Sequence, residues 1–577
     1  MVLTDHFLRS ESSAAKLRVG VLLDDNFLAK PFADVLGHIQ ECDYADIVLR
    51  IYNTGNKDIP TAPHGSLVRK MLSLLRDSKR RKSIMWTLYD KVDARFAGES
   101  RRLLAPRDIS NLLNGVPEIC VMPISKGFTH RFPPEAVEKI KSYNLDVILR
   151  FGFNIIRGEI LNVPRYGIWS YHHGDNDFYR GGPPYFWELV ERHPLSGVML
   201  QILNEDLDGG TVLCKGLAPT EPTLLVSKNR VQPYLLGITF VIRKMFELHR
   251  GGMAELVQKS VAPRPYLGKQ KIYRAPTNGQ VARFLIAPLA RKAINRPFRR
   301  PIVDHWRLAF RMGRQLPFQN LPALDLSGFR WLESPRGRFY ADPFLWECKG
   351  RVFCFFEDYS YVSECGRISC GEVTPGCELI DVRPVLELNY HLSYPFIFED
   401  NGDMFLVPES AQNGAIDLYR ATSFPYQWEY VRTMLDAPGL DTTIVRRDGL
   451  YWMFTSLSEP CGSSVQLAAL FSSSLTGKYE FHYHTPITAD ARFARCAGRV
   501  FEQEEVLIRP SQDPSGTYGR AIHFRKIVEL TPKSYIEEPL VTLNAPAGFS
   551  GLHTYNRAAN VEAIDGKKKM LLASLMQ

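Results

Sequence analysis

The sequence predicts a multidomain protein in which a doubly wound α/β domain precedes an all-β five-bladed propeller. Strand-like apolar runs alternate with helical patterns from residue 17 to residue 216, as in parallel α/β sheets. Helical periodicity disappears after residue 330, and short strands then recur in units about 50–56 residues apart, near the period of propeller blades. The predicted parts are the α/β domain (1–216), a helical extension (217–275), a basic Pro/Arg-rich linker (276–329) and the propeller (330–577).

Composition and charge narrow the class of protein. The chain has 577 residues, too many for one core, and 71 Lys and Arg against 62 Asp and Glu give a net charge of +9. The segment 283–314 holds most of this excess, so the chain as a whole does not look like a nucleic-acid binder. Ten cysteines without Cys-x-x-Cys spacing, no signal-peptide pattern and no long apolar run predict a cytoplasmic protein with reduced thiols and no metal site.

The elements of the α/β domain follow from apolar runs and helical spacing. Buried-strand runs are predicted at 17–23, 46–52, 118–124 and 146–153, with helices at 27–40, 64–97 and 133–144. The stretch 166–216 then combines a strand, a polar loop (170–177), a tight Arg-Gly-Gly-Pro-Pro turn and two further strands around an acidic turn (204–210). Polar groups beside glycine turns at strand ends are where α/β folds place chemistry, so this stretch is the predicted site.

The later parts carry different patterns. Residues 283–314, inside the predicted linker, could contact an anionic membrane surface weakly or could be a basic connector packed along the domain seam. The propeller units begin near residues 336, 391, 441, 497 and 551. Their first inner-strand residues would meet in a central funnel, and these residues are Asp342, Tyr394, Asp441, Gln512 or Asp513, and His553.

The stretch 146–216 resembles the catalytic core of the folate-dependent formyltransferases, such as methionyl-tRNA and sugar N-formyltransferases. That family carries Asn-x-His, then Arg-Gly, then Asp-x-Gly. Ser170-Tyr-His172, Arg180-Gly and Asp208-Gly-Gly follow in the same order here, with Asp208 placed 36 residues after His172. The resemblance covers roughly residues 17–216 and implies the family fold.

The resemblance also implies a reaction, which is transfer of a formyl group from 10-formyltetrahydrofolate to an amine. His172 would carry the proton, Asp208 would orient its ring, and Ser170 would stabilise the oxyanion. The folate would lie against the loop Phe151-Gly152-Phe153. Two departures qualify this reading. Ser170 replaces the family Asn, and the loop after His172 carries the extra acid–base groups His173, Asp175 and Asp177.

The stretch 330–575 resembles the five-bladed propellers of arabinanase/xylosidase-type glycoside hydrolases, and more closely the propeller of plant glucosamine inositolphosphorylceramide transferases. Asp342-Pro matches the Asp-Pro that carries the hydrolases' general base. Tyr394-Pro stands where they have a second Asp-Pro, and Asp441 stands where their general acid is Glu. The predicted carbohydrate-binding residues of the funnel are Asp342, Glu409, Asp441, Asp513 and His553.

These patterns leave three functions open. In the first, the α/β domain transfers a formyl or related one-carbon acyl group to an amino sugar or glycan that the propeller binds. In the second, the propeller is a glycosidase or glycosyl-transfer module and the α/β domain is a degenerate scaffold. In the third, both halves only bind carbohydrate.

Overall fold

The structure is a computed structural model that describes residues 3–55, 81–206, 209–262, 264–294, 302–313, 326–458 and 464–576. The chain divides into an N-terminal unit, Thr4–Ile294, and a C-terminal unit, Asn295–Gln577 together with Met1–Leu3. Two predictions, the helix over 64–80 and the position of Asp208, fall outside the described residues. Within the described residues, no helix combines the length and apolar character that crossing a membrane requires.

A seven-stranded sheet is the centre of the N-terminal unit. The strands of this unit are, in chain order, β1 (Leu17–Leu23), β2 (Phe27–Ala29), β3 (Ala45–Asn53), β4 (Pro106–Asp108), β5 (Glu118–Val121), β6 (Ile124–Lys126), β7 (Thr129–Arg131), β8 (Val147–Arg150), β9 (Ile155–Arg157), β10 (Ile168–His172), β11 (Leu195–Ile202) and β12 (Thr211–Pro219). The sheet order is β12-β11-β10-β8-β1-β3-β5, parallel from β10 to β5, with β11 and β12 antiparallel. This arrangement confirms the predicted α/β fold.

The helices described in this unit are α1 (Lys30–Glu41), α2 (Ile84–Phe96), α3 (Glu99–Leu103), α4 (Pro134–Lys141), α5 (Phe186–Glu191), α6 (Val226–Gln258) and α7 (Asn278–Ile294). Among them, α1 packs against β3, α4 against β5 and α6 against β11 and β12. In α1, Phe32, Val35, Leu36 and Ile39 are buried. α6 packs against β11 and β12, so the predicted helical extension is part of the N-terminal unit's core.

Three neighbouring parallel strands, β1, β8 and β10, bring their carboxyl ends to the same edge of the sheet. The backbone N–H groups of Phe151 and Gly152 donate to the Leu22 carbonyl at 3.0 and 2.9 Å. A Cβ atom on Gly152 would lie 2.4 Å from the Asp24 nitrogen, so this close approach requires glycine. The loop after β8 is thereby fixed beside the end of β1.

The C-terminal unit is built from short antiparallel strands. They are β13 (Ile302–Met312), β14 (Arg330–Trp331), β15 (Arg338–Cys348), β16 (Arg351–Ser360), β17 (Cys365–Val373), β18 (Leu379–Leu386), β19 (Ser393–Asp400), β20 (Asp403–Glu409), β21 (Ile416–Ser423), β22 (Gln427–Leu435), β23 (Gly439–Arg447), β24 (Leu450–Leu457), β25 (Ala468–Ser472), β26 (Glu480–Phe481), β27 (Phe501–Gln503), β28 (Val506–Asp513), β29 (Ala521–Leu530), β30 (Tyr535–Asn544), β31 (Tyr555–Ala558) and β32 (Val561–Leu571), with short helices α8 (Ala491–Ala494) and α9 (Leu572–Met576). Four sheets follow the chain in order, β15–β18, β19–β22, β23–β26 and β27–β30, and the fifth is β14-β13-β32-β31. These five four-stranded sheets confirm the predicted propeller.

The fifth sheet corrects the predicted linker. β13 lies at 302–312, inside the segment assigned to a linker, and pairs along its whole length with β32 near the end of the chain. Leu308 and Phe310 in β13 are fully buried. The strand was not predicted because the residues on either side of it are rich in Pro and Arg, a composition typical of linkers. Helix α7 likewise occupies 278–294 of the predicted linker.

Three inner strands carry the same local irregularity. Asp342, Tyr394 and Asp441 have positive φ angles of 52°, 43° and 49°, and the pairing register shifts beside each of them in β15, β19 and β23. Positive φ is uncommon for residues other than glycine, and such bulges occur beside active sites. The three residues therefore occupy equivalent positions in successive blades, as expected for the first inner-strand residues of their units.

Candidate functional site

The N-terminal candidate site begins with Ser170, which lies on β10 and is only 1% exposed. Its hydroxyl donates to the Tyr171 carbonyl at 3.2 Å and accepts from Nη1 of Arg150 at 2.8 Å. Nη2 of Arg150 donates to the Phe153 carbonyl at 3.0 Å. The guanidinium thus joins the ends of β8 and β10.

His172 lies two residues beyond Ser170 on β10, so the two side chains share one face of the sheet. Its Nε2 is 2.9 Å from the Tyr179 carbonyl. A carbonyl can only accept, so Nε2 carries a hydrogen and donates it to this carbonyl. Asp208, the predicted partner of His172, lies outside the described residues, and its role stays a prediction.

The loop after His172 contributes structure rather than extra acid–base groups. His173 packs against aromatic rings, the nearest being Tyr234 at 4.6 Å between centroids. Burial lowers the pKa of His173 to about 3, so this ring is neutral at pH 7. Asp175 and Asp177 are both bound by Lys215 Nζ, at 2.5 and 2.7 Å. The two carboxylates are therefore held as buried ion pairs.

Glu188 on α5 is a further titratable residue of this region that the sequence analysis missed. It is 1% exposed, and burial raises the pKa of its carboxyl to about 8, with the His172 ring as a neighbour that opposes this shift. Glu188 is therefore protonated at neutral pH. Arg150 was missed as well, although a charged residue at the end of the apolar run 146–149 was a visible signal.

The predicted folate loop is well ordered by its neighbours. Phe153 has φ 64°, stacks on Phe132 at 5.0 Å, and donates its N–H to Asp24 Oδ1 at 2.9 Å. Phe151 stays partly exposed, with its ring 5.9 Å from that of Phe32. A cavity of about 720 Å³ lies elsewhere in the unit, lined by α2, α3 and the start of α6, and includes none of the predicted site residues.

In the C-terminal unit, Asp342 belongs to a buried hydrogen-bonded group. Its carboxylate accepts from the Thr554 hydroxyl at 2.6 Å and from the Tyr394 N–H at 3.2 Å. Its own N–H donates to Asp565, which also lies 2.6 Å from His553 Nδ1. Burial raises the pKa of Asp342 to about 6, while the Asp565 and Asp342 carboxylates outweigh burial and raise the pKa of His553.

The buried group around Asp342 contains three side chains of types that bind metal ions. Ligand atoms of Asp342, His553 and Asp565 lie within 4.8 Å of one another, a spacing that could hold a metal ion, although the sequence predicted no metal site. The raised pKa of His553 favours an imidazolium paired with Asp565 in the metal's place. Trp306 of β13 covers the His553 ring in a stacked arrangement at 3.9 Å. A residue from the predicted linker thus forms part of this site.

A second buried group surrounds Asp441. Its N–H donates to Glu409 at 3.1 Å, and its carboxylate accepts from Arg495 at 2.6 Å and from Gln512 at 2.8 Å. Burial, together with the nearby Asp441 charge, raises the pKa of Glu409 to about 8. Arg495 also reaches Glu409, at 3.4 Å. The Glu409 carboxyl group, with its raised pKa, therefore lies beside the Asp441 carboxyl group.

Gln512 and Asp513 are the two candidates for the inner-strand position of the fourth unit. Gln512 contacts Asp441, whereas Asp513 does not. The Asp513 carboxylate instead accepts from the Ser515 N–H at 2.8 Å and lies 3.2 Å from His523. β28 alternates side-chain direction, so these two neighbours point to opposite faces. The sequence analysis missed Arg495 and Asp565, which lie outside the strand starts that it searched.

Comparison with known proteins matches each unit separately. A family model described as glucosamine inositolphosphorylceramide transferase 1, N-terminal, matches residues 326–566. Fold and sequence together define the chain as a fusion of a formyltransferase-like α/β unit with a propeller similar to part of glucosamine inositolphosphorylceramide transferase 1.

The relatives can be named individually. Glucosamine inositolphosphorylceramide transferase 1 from Oryza sativa subsp. indica is 34% identical over 223 residues, which are 38% of this chain and 30% of that protein. Methionyl-tRNA formyltransferase from Lachnospira eligens is 36% identical over 78 residues, which are 13% of this chain and 25% of that protein. The GH43_1 enzyme from Xanthomonas citri, solved with xylotriose, matches 41% of this chain and 88% of its own at 11% identity and a TM-score of 0.32. The chain thus spans less than a third of either curated relative.

Proposed function

We propose that the protein is a carbohydrate-related transferase. Its N-terminal unit transfers a formyl or related one-carbon acyl group from 10-formyltetrahydrofolate to the amine of an amino sugar or glycan. Its propeller binds the carbohydrate. The observation that carries the proposal is the placement of Ser170, His172 and Arg150 at the ends of adjacent parallel strands, in a unit with sequence similarity to a methionyl-tRNA formyltransferase.

The residues at the sheet edge fit a folate. Phe151, with Phe32 and Tyr171 at 5.9 and 6.4 Å between ring centroids, offers an aromatic surface of the kind that a flat heteroaromatic ring packs against. Gly152 lies so close to the backbone of Asp24 that the loop has no room for a side chain at this position. When bound, 10-formyltetrahydrofolate would supply the activated formyl carbon.

His172 supplies the proton transfer in this proposal. Its Nε2–H donates to the Tyr179 carbonyl, which orients the ring, and in this proposal Nδ1 accepts the proton that the amine loses. Burial of His173 and the ion pairing of Asp175 and Asp177 remove those groups from competition for this proton. By the family resemblance, Asp208 would stabilise the charged form of His172.

Mass spectrometry tests the proposal directly. The full chain is incubated with 10-formyltetrahydrofolate and a panel of nucleotide-linked amino sugars, and the products are searched for the gain of one CO unit. We expect one or a few sugars to gain that mass, and His172→Asn and Asp208→Asn to lose the product. No mass gain on any amine, with no binding of a reduced folate, would overturn the proposal.

A specific observation favours a second candidate function in the propeller. Inverting glycoside hydrolysis needs one protonated and one ionised carboxyl group, and Glu409, with its pKa raised to about 8, lies beside a second carboxyl group, that of Asp441. The same arrangement would suit glycosyl transfer. Hydrolysis of aryl glycosides that disappears with Asp342→Asn or Glu409→Gln would establish this function, whereas sugar binding without turnover would leave the propeller as a binding module.

A further inference from the structure

The buried hydroxyl of Ser170 is badly placed for the oxyanion role that the family resemblance gave it. A serine hydroxyl has one proton, and here that proton is donated to the Tyr171 carbonyl. Its oxygen accepts from Arg150, and the residue is 1% exposed. A substrate oxygen therefore has no route to this hydroxyl without rearrangement of β10.

Arg150 is the charged group that stands next to Ser170. It ends β8, directly before the loop Phe151–Phe153, and remains partly exposed where Ser170 is not. A guanidinium is planar, stays charged at every pH of interest, and carries five N–H donors. Of the pair, Arg150 is thus the member that a substrate oxygen can reach.

The guanidinium is also held in place. Nη1 donates to Ser170 and Nη2 donates to the Phe153 carbonyl, while the Phe153 N–H is fixed by Asp24. A donor held before the reaction stabilises developing charge better than a mobile one, because it needs no reorganisation. Ser170 is then the residue that positions Arg150.

We propose that Arg150, not Ser170, stabilises the negative charge that develops on the formyl oxygen during transfer. This inference rests on the proposed function of the N-terminal unit. As the amine nitrogen bonds to the formyl carbon, the carbonyl π electrons move onto oxygen, beside the guanidinium. They return when the bond from that carbon to the folate nitrogen breaks. The folate nitrogen takes up a proton, and the amine releases one to His172, so atoms and charge balance.

Turnover of the full-length protein tests the assignment. Removal of one oxyanion donor typically lowers kcat by about 10²–10³-fold, so we expect Arg150→Gln to lose roughly that factor and Arg150→Lys to lose about 10-fold. Ser170→Ala removes the hydroxyl that positions Arg150 but keeps the guanidinium, and we expect it to lose less than Arg150→Gln. Arg165→Gln, an exposed arginine of the same unit that stacks on Tyr166, is the matched control and should be unchanged.

Ligand binding separates this inference from the proposed function. The probes are 5,8-dideazafolate with and without its 10-formyl group, measured by calorimetry. Arg150→Gln should weaken binding of the formylated probe about 10-fold and leave the unformylated probe unaffected. Equal loss for both probes would show that Arg150 only shapes the loop. Wild-type protein that binds neither probe would overturn the proposed function and the inference together.

Discussion

The two units build their polar sites in opposite ways. In the N-terminal unit, each key side chain is tied to a backbone carbonyl within one short stretch: His172 to Tyr179, Arg150 to Phe153 and Ser170 to Tyr171. In the propeller, side chains from different blades contact one another. Asp342 meets Thr554 and Asp441 meets Gln512, residues separated by 212 and 71 positions in the chain.

This difference has a consequence for protonation. Backbone carbonyls orient a side chain without adding charge, as the Tyr179 carbonyl does for the His172 ring. Carboxylates collected at the propeller axis repel one another, and burial adds to the effect, so the pKa values of Asp342 and Glu409 rise. The first site is suited to moving one proton, and the second to holding protons that a bound ligand could displace.

The largest effect is expected from a substitution that disables the N-terminal site and leaves the propeller unchanged. His172→Asn should lower formyl transfer by about 10²–10⁴-fold, because it removes the general base, while carbohydrate binding by the propeller stays unchanged. Initial rates and calorimetry with the preferred sugar check the two halves of this prediction.

The matched control for that variant is His193→Asn. His193 is also a part-buried histidine of the N-terminal unit that bonds a backbone carbonyl, that of Leu195 at 2.7 Å, but it lies outside the site. Its substitution should leave the transfer rate within about twofold. Equal losses for both variants would mean that His172 supports the fold and nothing more.

Local patterns were enough to predict the first site's placement. The predicted runs at 17–23 and 146–153 contain β1 and β8, although β8 ends at Arg150, and the spacing of Ser170 and His172 placed both on one strand end. The partners of those side chains could not be predicted in the same way. Lys215 reaches Asp175 and Asp177 from β12, a pairing set by the antiparallel turn at the sheet edge and by no motif.

In the propeller, too, contacts between residues far apart in the chain could not be predicted from local patterns. Regular turn spacing predicted five blades, and the bulged positions 342, 394 and 441 were found because they repeat. The closing strand β13 does not repeat: it lies among Pro and Arg residues far from its partner β32. Closure of a ring depends on a contact between chain ends, and no local pattern reports such a contact.

Closure of the ring gives the next prediction. Phe310→Ala in β13 should destabilise the protein by about 3–5 kcal/mol, because it leaves a cavity at a fully buried position, whereas Ile302→Ala in the same strand, 62% exposed, should cost less than about 0.5 kcal/mol. Urea unfolding with hydrogen-exchange mass spectrometry locates the loss. Protection should fall in peptides of 302–312 and 561–571 and be kept in β1 and β8. Similar behaviour of the two variants would contradict closure by β13.

The smallest expected effect concerns the raised pKa of Glu409. The free carboxyl titrates near 4.5 and the folded one near 8, so between these values the folded state holds a proton that the unfolded state has lost. The free energy of unfolding must then fall as pH rises through this window. Glu409→Gln mimics the protonated side chain and removes this contribution, so its Tm should rise relative to wild type by a few degrees between pH 5 and pH 8.

A surface carboxylate, Glu372, serves as the control for the pH experiment on Glu409. Glu372 pairs with Arg351, whose hydrogen bond lowers the pKa of Glu372, so any stability from this pair is lost only below pH 4.5. Glu372→Gln should therefore change Tm equally at pH 5 and pH 8. If Glu409→Gln gives the same parallel shift, then the axial carboxylates are ionised like surface ones. The distinction between a proton-holding propeller site and an N-terminal site oriented by backbone carbonyls would then be lost.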